Sequence, residues 1–404
     1  MLISKKYYLA AVLLSLLVVL IYLPILWRMS AGVDNDYMQH LRFAIEMQNT
    51  HSITSSHLLY HIIIILCNKL VSIFYYKNPS FHNLYFSGFG VLLFCNVLTG
   101  QIIFYLFTKT EKMSLALSFV ATLGILLASP IIILVLFDWH FYFGYIALNV
   151  YHNPTIFILK PIAISLFFAV SNNLHSSDRR ANGKTLIFCF FMTILSALAK
   201  PNFIICFMPA LTVFWGCMAL RGKNVNWKLL CLGVVIPSLI VLSFQYYITY
   251  TSAQIFGYSQ EESGIILAPF EVMKLRSSWL VPKFFLSIAF PLAVFFTHTR
   301  TSLRDNRVIV AWLGFIFGAL YTYFLAESGP QLGSMNFIWS GQITLFILFI
   351  VSALFLFEQR ENAGYGKLFG FNPRAVFCLT MFFLHIICGL LFYAINFYAP
   401  SSFW

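Results

Sequence analysis

Two aspartates stand close together in the stretch AGVDNDYMQHLRFAIEMQNTHSITSSHLLYH, at Asp34 and Asp36, with His40, Arg42 and Glu46 following. Carboxylates so placed can take the proton from a sugar hydroxyl, or hold a divalent cation against a phosphate. The same Asp-Asn-Asp run is also ordinary helix-capping sequence. A second polar group lies in DWHFYFGYIALNVYHNPTIF, which sets Asp138, His140, His152 and Asn153 among aromatic rings. Rings stack on sugar faces while Asp, His and Asn bond hydroxyls, although aromatics also gather at any membrane interface. Two lysines interrupt apolar sequence: Lys200 before Pro201 and Asn202, and Lys160 six residues after Pro154. A cation there can stabilise negative charge on a phosphate, or simply reach to the interface. Weaker candidates for the phosphate are Arg42, Lys274 and Arg276. AESGPQLGSMNFIW adds Glu327, Gln331 and Asn336 near Trp339, a mixture suited to an acceptor sugar. His57 and His61 share a helix face, but without an HExxH frame they read as an interfacial polar face rather than metal ligands.

The elements that must carry these residues are membrane helices. Of 404 residues, 60% are hydrophobic and 9% charged, whereas a soluble domain carries roughly 25% charged residues. A water-soluble fold and a disordered chain are both excluded. Apolar blocks of bilayer-crossing length predict an all-α polytopic protein with eleven spans, at about 8–28, 84–108, 113–137, 154–171, 185–199, 203–220, 229–250, 279–297, 308–325, 338–357 and 375–397. The first reads as a retained anchor, because no small-residue cleavage site follows it. Residues 57–76 are apolar but contain His61, Asn68 and Lys69. They read as a helix lying along the outer surface with Lys69 reaching to water.

With the N-terminus inside, 16 of the 25 basic and 5 of the 13 acidic residues fall in inner segments. The net charge of +12 then divides into +11 inside and +1 outside. Orientation explains the basic excess, so no nucleic-acid partner is called for. The eight cysteines fall in apolar segments without CxxC spacing and read as fillers. The whole chain, 1–404, reads as one membrane domain with no soluble one. Its outer side holds a first loop at 29–83, including the surface helix, and a second at 251–278 with Glu261, Glu262 and Glu271. That second loop is long enough to act as a flap over a site.

The acidic pair just beyond the first helix, followed by an aromatic and a short helical stretch, resembles the first outer loop of the GT-C superfamily of membrane glycosyltransferases. SSHLLYHIIIILCNKL resembles the start of that superfamily's juxtamembrane helix, with Ser56 and His57 where the family carries prolines. SALAKPNF resembles its Lys-Pro step at the outer end of a mid-chain helix. Within the superfamily the chain looks most like bacterial serotype-converting O-antigen glucosyltransferases. The resemblance implies a GT-C-like fold in a cytoplasmic (inner) membrane, a polyprenyl-phosphate-linked sugar as donor and a hydroxyl of a surface glycan as acceptor. By the same resemblance Asp36 matches the catalytic base, with Asp34 second. Lys200, then Lys160 and Arg42, would meet the donor phosphate, and a divalent cation at Asp34 and Asp36 is permitted without being required. The competing readings are an O-antigen polymerase or ligase, for which three outer arginines are few, and a flippase without chemistry. A flippase calls for broken helices and midplane charge.

Overall fold

The computed structural model of the protein describes residues 5–31, 35–53, 55–75, 81–110, 112–174, 179–250, 264–359 and 372–399. Among the described residues the architecture is all-α apart from one two-stranded β-sheet. It opens with α1 (Lys5–Ser30), α2 (Asp36–Thr50), α3 (Leu58–Tyr75), α4 (Phe81–Thr108), α5 (Leu115–Leu127) and a single turn, α6 (Val135–Asp138). Next come α7 (Pro154–Ser171), α8 (Arg179–Ala199), α9 (Asn202–Leu220) and a π-helical stretch, Leu229–Val235, that runs into α10 (Ile236–Tyr250). Strand β1 (Ile265–Leu267) and α11 (Glu271–Lys274) precede α12 (Leu280–Ser287), α13 (Ala289–Thr297), α14 (Thr299–Ser302) and α15 (Asn306–Phe324). Strand β2 (Leu325–Glu327), α16 (Ile338–Glu358) and α17 (Pro373–Tyr398) complete it. The strands are antiparallel, with Ile265 opposite Glu327.

Among the described residues eight helices are long and apolar enough to cross a membrane, or nine if the bent pair α12–α13 is one span. This supports a multi-pass membrane protein. Three of the eleven expected runs are not single straight spans among the described residues, and proline explains two of these differences. The apolar run 113–137 does not continue as a helix, because α5 stops at Leu127 just ahead of Pro130. A residue preceding proline is disfavoured in the helical region, and proline has no N–H to give. The run 279–297 bends by 64° between α12 and α13, where Pro291 lies in the first turn of the second piece. The third, 185–199, lies within α8 as an apolar stretch shorter than a full crossing.

Both breaks are tied to α17. His385 bonds the Ser129 carbonyl through Nδ1 at 2.6 Å, and its Nε2 accepts the Phe290 N–H at 3.3 Å. Nδ1 therefore carries the proton. The Ser129 N–H in turn reaches the His385 carbonyl at 3.0 Å. Gly389 makes this approach feasible, since a Cβ there would sit 1.8 Å from the Leu127 carbonyl oxygen. Helix α16 is the axis of the bundle: every residue from Ile338 to Phe357 is buried. A helix apolar on all sides is stable only when surrounded, and α7, α9, α13 and α15 supply that surround.

Candidate functional site

The site is assembled at the ends of helices, where backbone chemistry already places polar groups. Asn153 caps α7: its Oδ1 accepts the Ile156 N–H at 3.3 Å and the Thr155 hydroxyl at 2.7 Å. Pro154 follows at the first helical position, where its missing N–H costs nothing. With Oδ1 engaged, the Asn153 amide nitrogen faces away and donates to Asp36 Oδ2 at 2.9 Å. Asp36 opens α2, behind the cap Asn35, whose Oδ1 accepts the Met38 N–H at 2.8 Å. A carboxylate in a first turn is favoured by the helix dipole.

Lys200 approaches from the other side. Helix α8 ends at Ala199 because Pro201 follows, and the Lys200 N–H closes that end on the Ser196 carbonyl at 3.0 Å. The side chain is buried; Nζ donates to Thr155 Oγ1 at 3.1 Å and lies 4.8 Å from the centre of the Trp339 ring. Carboxylate and ammonium are thus joined through Asn153 and Thr155 rather than paired directly. Burial lowers the Lys200 pKa to about 8, against the opposing pull of Asp36 and Glu327.

An aromatic wall stands beside this chain of contacts. His152 packs on Trp339 with ring centres 5.6 Å apart and meets the edge of Tyr142 at 5.8 Å. The Tyr142 hydroxyl accepts from Gln342 Nε2 at 2.7 Å. Burial holds His152 at about 4, with Asp36 acting upward and Lys200 downward. Asn202 fastens the start of α9 to the start of α16, donating to the Asn336 carbonyl at 3.0 Å and to Ser340 Oγ at 2.9 Å. Glu327 Oε2 in turn accepts from Asn336 at 2.6 Å and from Ser334 at 3.0 Å.

Helices α2 and α3 add histidines to the same region. His40 Nδ1 lies 3.0 Å from His61 Nε2, with the rings stacked. Burial, then neighbouring histidines and Lys200, hold His40 well below the ordinary imidazole range. Burial and Lys200 do the same to His57. His61 is wholly buried, which corrects its reading as part of an interfacial polar face. The cause is α2, which covers that side of α3 and supplies the partner imidazole. Lys69, further along α3, is exposed.

Of the residues singled out by sequence, Asp36, His40, His152, Asn153, Lys200 and Glu327 come to one region. Asp34, Glu261 and Glu262 lie outside the described residues. Lys160 belongs elsewhere: it is buried beneath the site, donating to Asn149 Oδ1 at 2.7 Å and lying 4.4 Å from the Phe346 ring centre. Asn149 in turn donates to the Ile125 and Ala128 carbonyls that the end of α5 leaves free. Arg42 is exposed on α2.

Asp138 and His140 form a separate brace. Asp138 Oδ2 meets the fully buried Lys283 ammonium at 2.5 Å and accepts from Ser277 at 3.0 Å. Burial pushes the Asp138 carboxyl up, but Lys283, the His140 N–H and Ser277 outweigh it and hold the pKa below its ordinary value. The His140 ring returns to the Asp138 carbonyl at 2.6 Å. Thr155, Gln342 and Lys283 were not singled out by sequence. Thr155 carried a signal, a hydroxyl directly behind an Asn-Pro helix start; Lys283 and Gln342 stand in apolar runs with nothing local to mark them. Among the described residues no three His, Cys, Asp or Glu side chains are grouped to hold a metal ion.

No protein-family model, curated protein or solved structure matches the chain.

Proposed function

We propose that the protein is a membrane glycosyltransferase, moving a sugar from a polyprenyl-phosphate carrier to a hydroxyl of a surface glycan at the outer face of the cytoplasmic membrane. The observation that carries this reading is the buried Lys200 ammonium, held near Asp36 through Asn153 and Thr155 without being neutralised by contact. A buried cation with a single hydroxyl as its hydrogen-bond acceptor is costly unless an anion joins it. The phosphate of a lipid-linked sugar supplies that anion.

In the proposed reaction the acceptor hydroxyl loses its proton to Asp36 while its oxygen attacks the anomeric carbon. The bond from that carbon to the phosphate oxygen breaks, and the phosphomonoester departs with the electron pair and one further negative charge. Lys200 faces that growing charge in a site with little water, where electrostatic stabilisation is strongest. Asn153 positions Asp36 through one oxygen and leaves the other for the proton. Attack opposite the leaving phosphate inverts the anomeric centre.

The test is transfer of labelled sugar from polyprenyl-phosphate glucose to a glycan acceptor by purified protein in vesicles. Asp36→Asn should abolish product and Lys200→Met should reduce it strongly. Full transfer by Asp36→Asn would remove the proposed base. The bends at Pro130 and Pro291 favour a second reading, a carrier of lipid-linked sugars with broken helices. That reading expects the labelled lipid to change leaflet without forming product.

A further inference from the structure

The two proline breaks leave a pair of short segments side by side. The Ile131 N–H donates to the Leu286 carbonyl at 3.2 Å, and the Phe137 ring lies 6.0 Å from that of Trp279. Residue 131 beside 286 and 137 beside 279 means that the two strips run antiparallel. One side of this ribbon is polar and turned inward: Lys283 is fully buried, bonded to Asp138 and, at 2.9 Å, to the Phe143 carbonyl. The other side is open and apolar. It presents Ile133, Leu136, Phe137, Trp139, Trp279 and Val281, with Leu136 72% and Trp139 78% exposed.

A surface of this kind in water would be an association hazard, and three observations say what covers it. Val281 and Phe285, four apart on α12, are both exposed, so the patch continues without a step onto the exposed side of α12, part of a bent pair apolar enough to cross a membrane. The ribbon's charged side chains, Asp138 and Lys283, are directed at one another on its inner side. Finally, exposed Lys274 and Arg276 stand just beyond Trp279, the order of cation, tryptophan and aliphatic residue met on passing from headgroups into acyl chains.

We infer that the ribbon formed by residues 131–139 and 279–286 lies in the bilayer interface, with its Ile133–Trp139 face among acyl chains and Lys274 and Arg276 at the lipid phosphates. These are segments whose polypeptide is not a regular spanning helix. Their inward ion pair, the Ile131–Leu286 bond between them, the Leu134 N–H on the Tyr145 hydroxyl at 3.3 Å and the turn around α6 pair polar groups that lipid cannot satisfy. The inference does not rest on the sugar-transfer reading.

Tryptophan fluorescence of the full-length protein in phosphatidylcholine vesicles tests it. Trp139→Phe and Trp279→Phe are conservative changes at exposed positions, so subtracting each variant's emission from that of the wild type isolates one indole. Lipids brominated near the glycerol end of the chain should roughly halve both difference signals. Aqueous iodide should quench them far less than it quenches free tryptophan. Difference signals quenched by iodide and untouched by bromolipid would place the ribbon in water and overturn the inference. Signals shielded from both quenchers would overturn it equally, by assigning the face to a second protein surface.

Discussion

Replacing Asn153 by aspartate probes the centre of the site with one isosteric change. The new side chain keeps the oxygen that caps α7 and receives the Thr155 hydroxyl, but the group facing Asp36 at 2.9 Å becomes a second oxygen. Two unit charges at that separation repel by about 6 kcal/mol at an effective dielectric constant of about 20. The variant escapes most of this by holding one proton between the two carboxyls. Starting from an ordinary carboxyl pKa of about 4, keeping that proton costs about 4 kcal/mol near pH 7 and about 1.4 kcal/mol near pH 5. The folded pair has a raised pKa, so its stability is greatest in acid and is lost as the pH rises from the unfolded value toward the folded one. The destabilisation of Asn153→Asp relative to wild type should therefore grow by roughly 2–3 kcal/mol between about pH 5 and 7. The positive charge of Lys200 trims the upper end.

Thermal unfolding of purified protein in detergent across that range measures the difference. Asn153→Ala is the comparison: it removes a helix cap and a charge-assisted hydrogen bond, a loss of about 2–4 kcal/mol that changes little with pH. The exchange variant Asp36→Asn with Asn153→Asp restores one amide facing one carboxylate and should recover the pH profile of wild type. A loss in Asn153→Asp that is flat with pH and equal to that of Asn153→Ala would refute the reasoning. It would mean that the two side chains do not face each other.

Three further outcomes follow from the same geometry. Lys200 is charged only below its lowered pKa, so affinity for inorganic phosphate, measured by calorimetry, should be full in neutral solution and fall as the pH passes about 8; Lys200→Met should bind none at any pH. Lys283→Met leaves Asp138 without its buried partner and should cost about 3–5 kcal/mol in thermal unfolding, while adding Asp138→Leu should return part of that loss. Gly389→Ala drives a methyl group into the Leu127 carbonyl and should prevent recovery of folded protein, whereas Gly90→Ala, with open space at its Cβ, should leave the melting temperature unchanged or raise it.

Much of the molecule was legible in the chain because bilayers impose a simple rule on sequence. A span must be apolar over its whole length, so most helices could be located by composition alone. Sequence and structure part at 113–137, where apolar content continues past the end of a helix ahead of Pro130, and at 279–297, where the run is bent near Pro291. Hydropathy measures what lipid tolerates and is blind to a missing N–H. The same blindness hid Lys283, which reads as a stray cation in an apolar run until Asp138 is seen to meet it.

The candidate site divides in the same way. Asp36, Asn153 and Lys200 could be singled out from sequence because each stands at a helix end, where Asp, Asn and the Lys-Pro step have local reasons to occur. Their residue types and the membrane character of the chain were decided by the sequence itself. Which of them meet was decided only by tertiary structure. Asn153 is 117 residues from Asp36, and no local preference could reveal that its amide spends one end on its own helix and the other on α2. Lys160 stands second to Lys200 by type and setting, and packing turns it to Asn149 beneath the site. A buried polar group must find a partner wherever the fold offers one, and that choice is made in three dimensions.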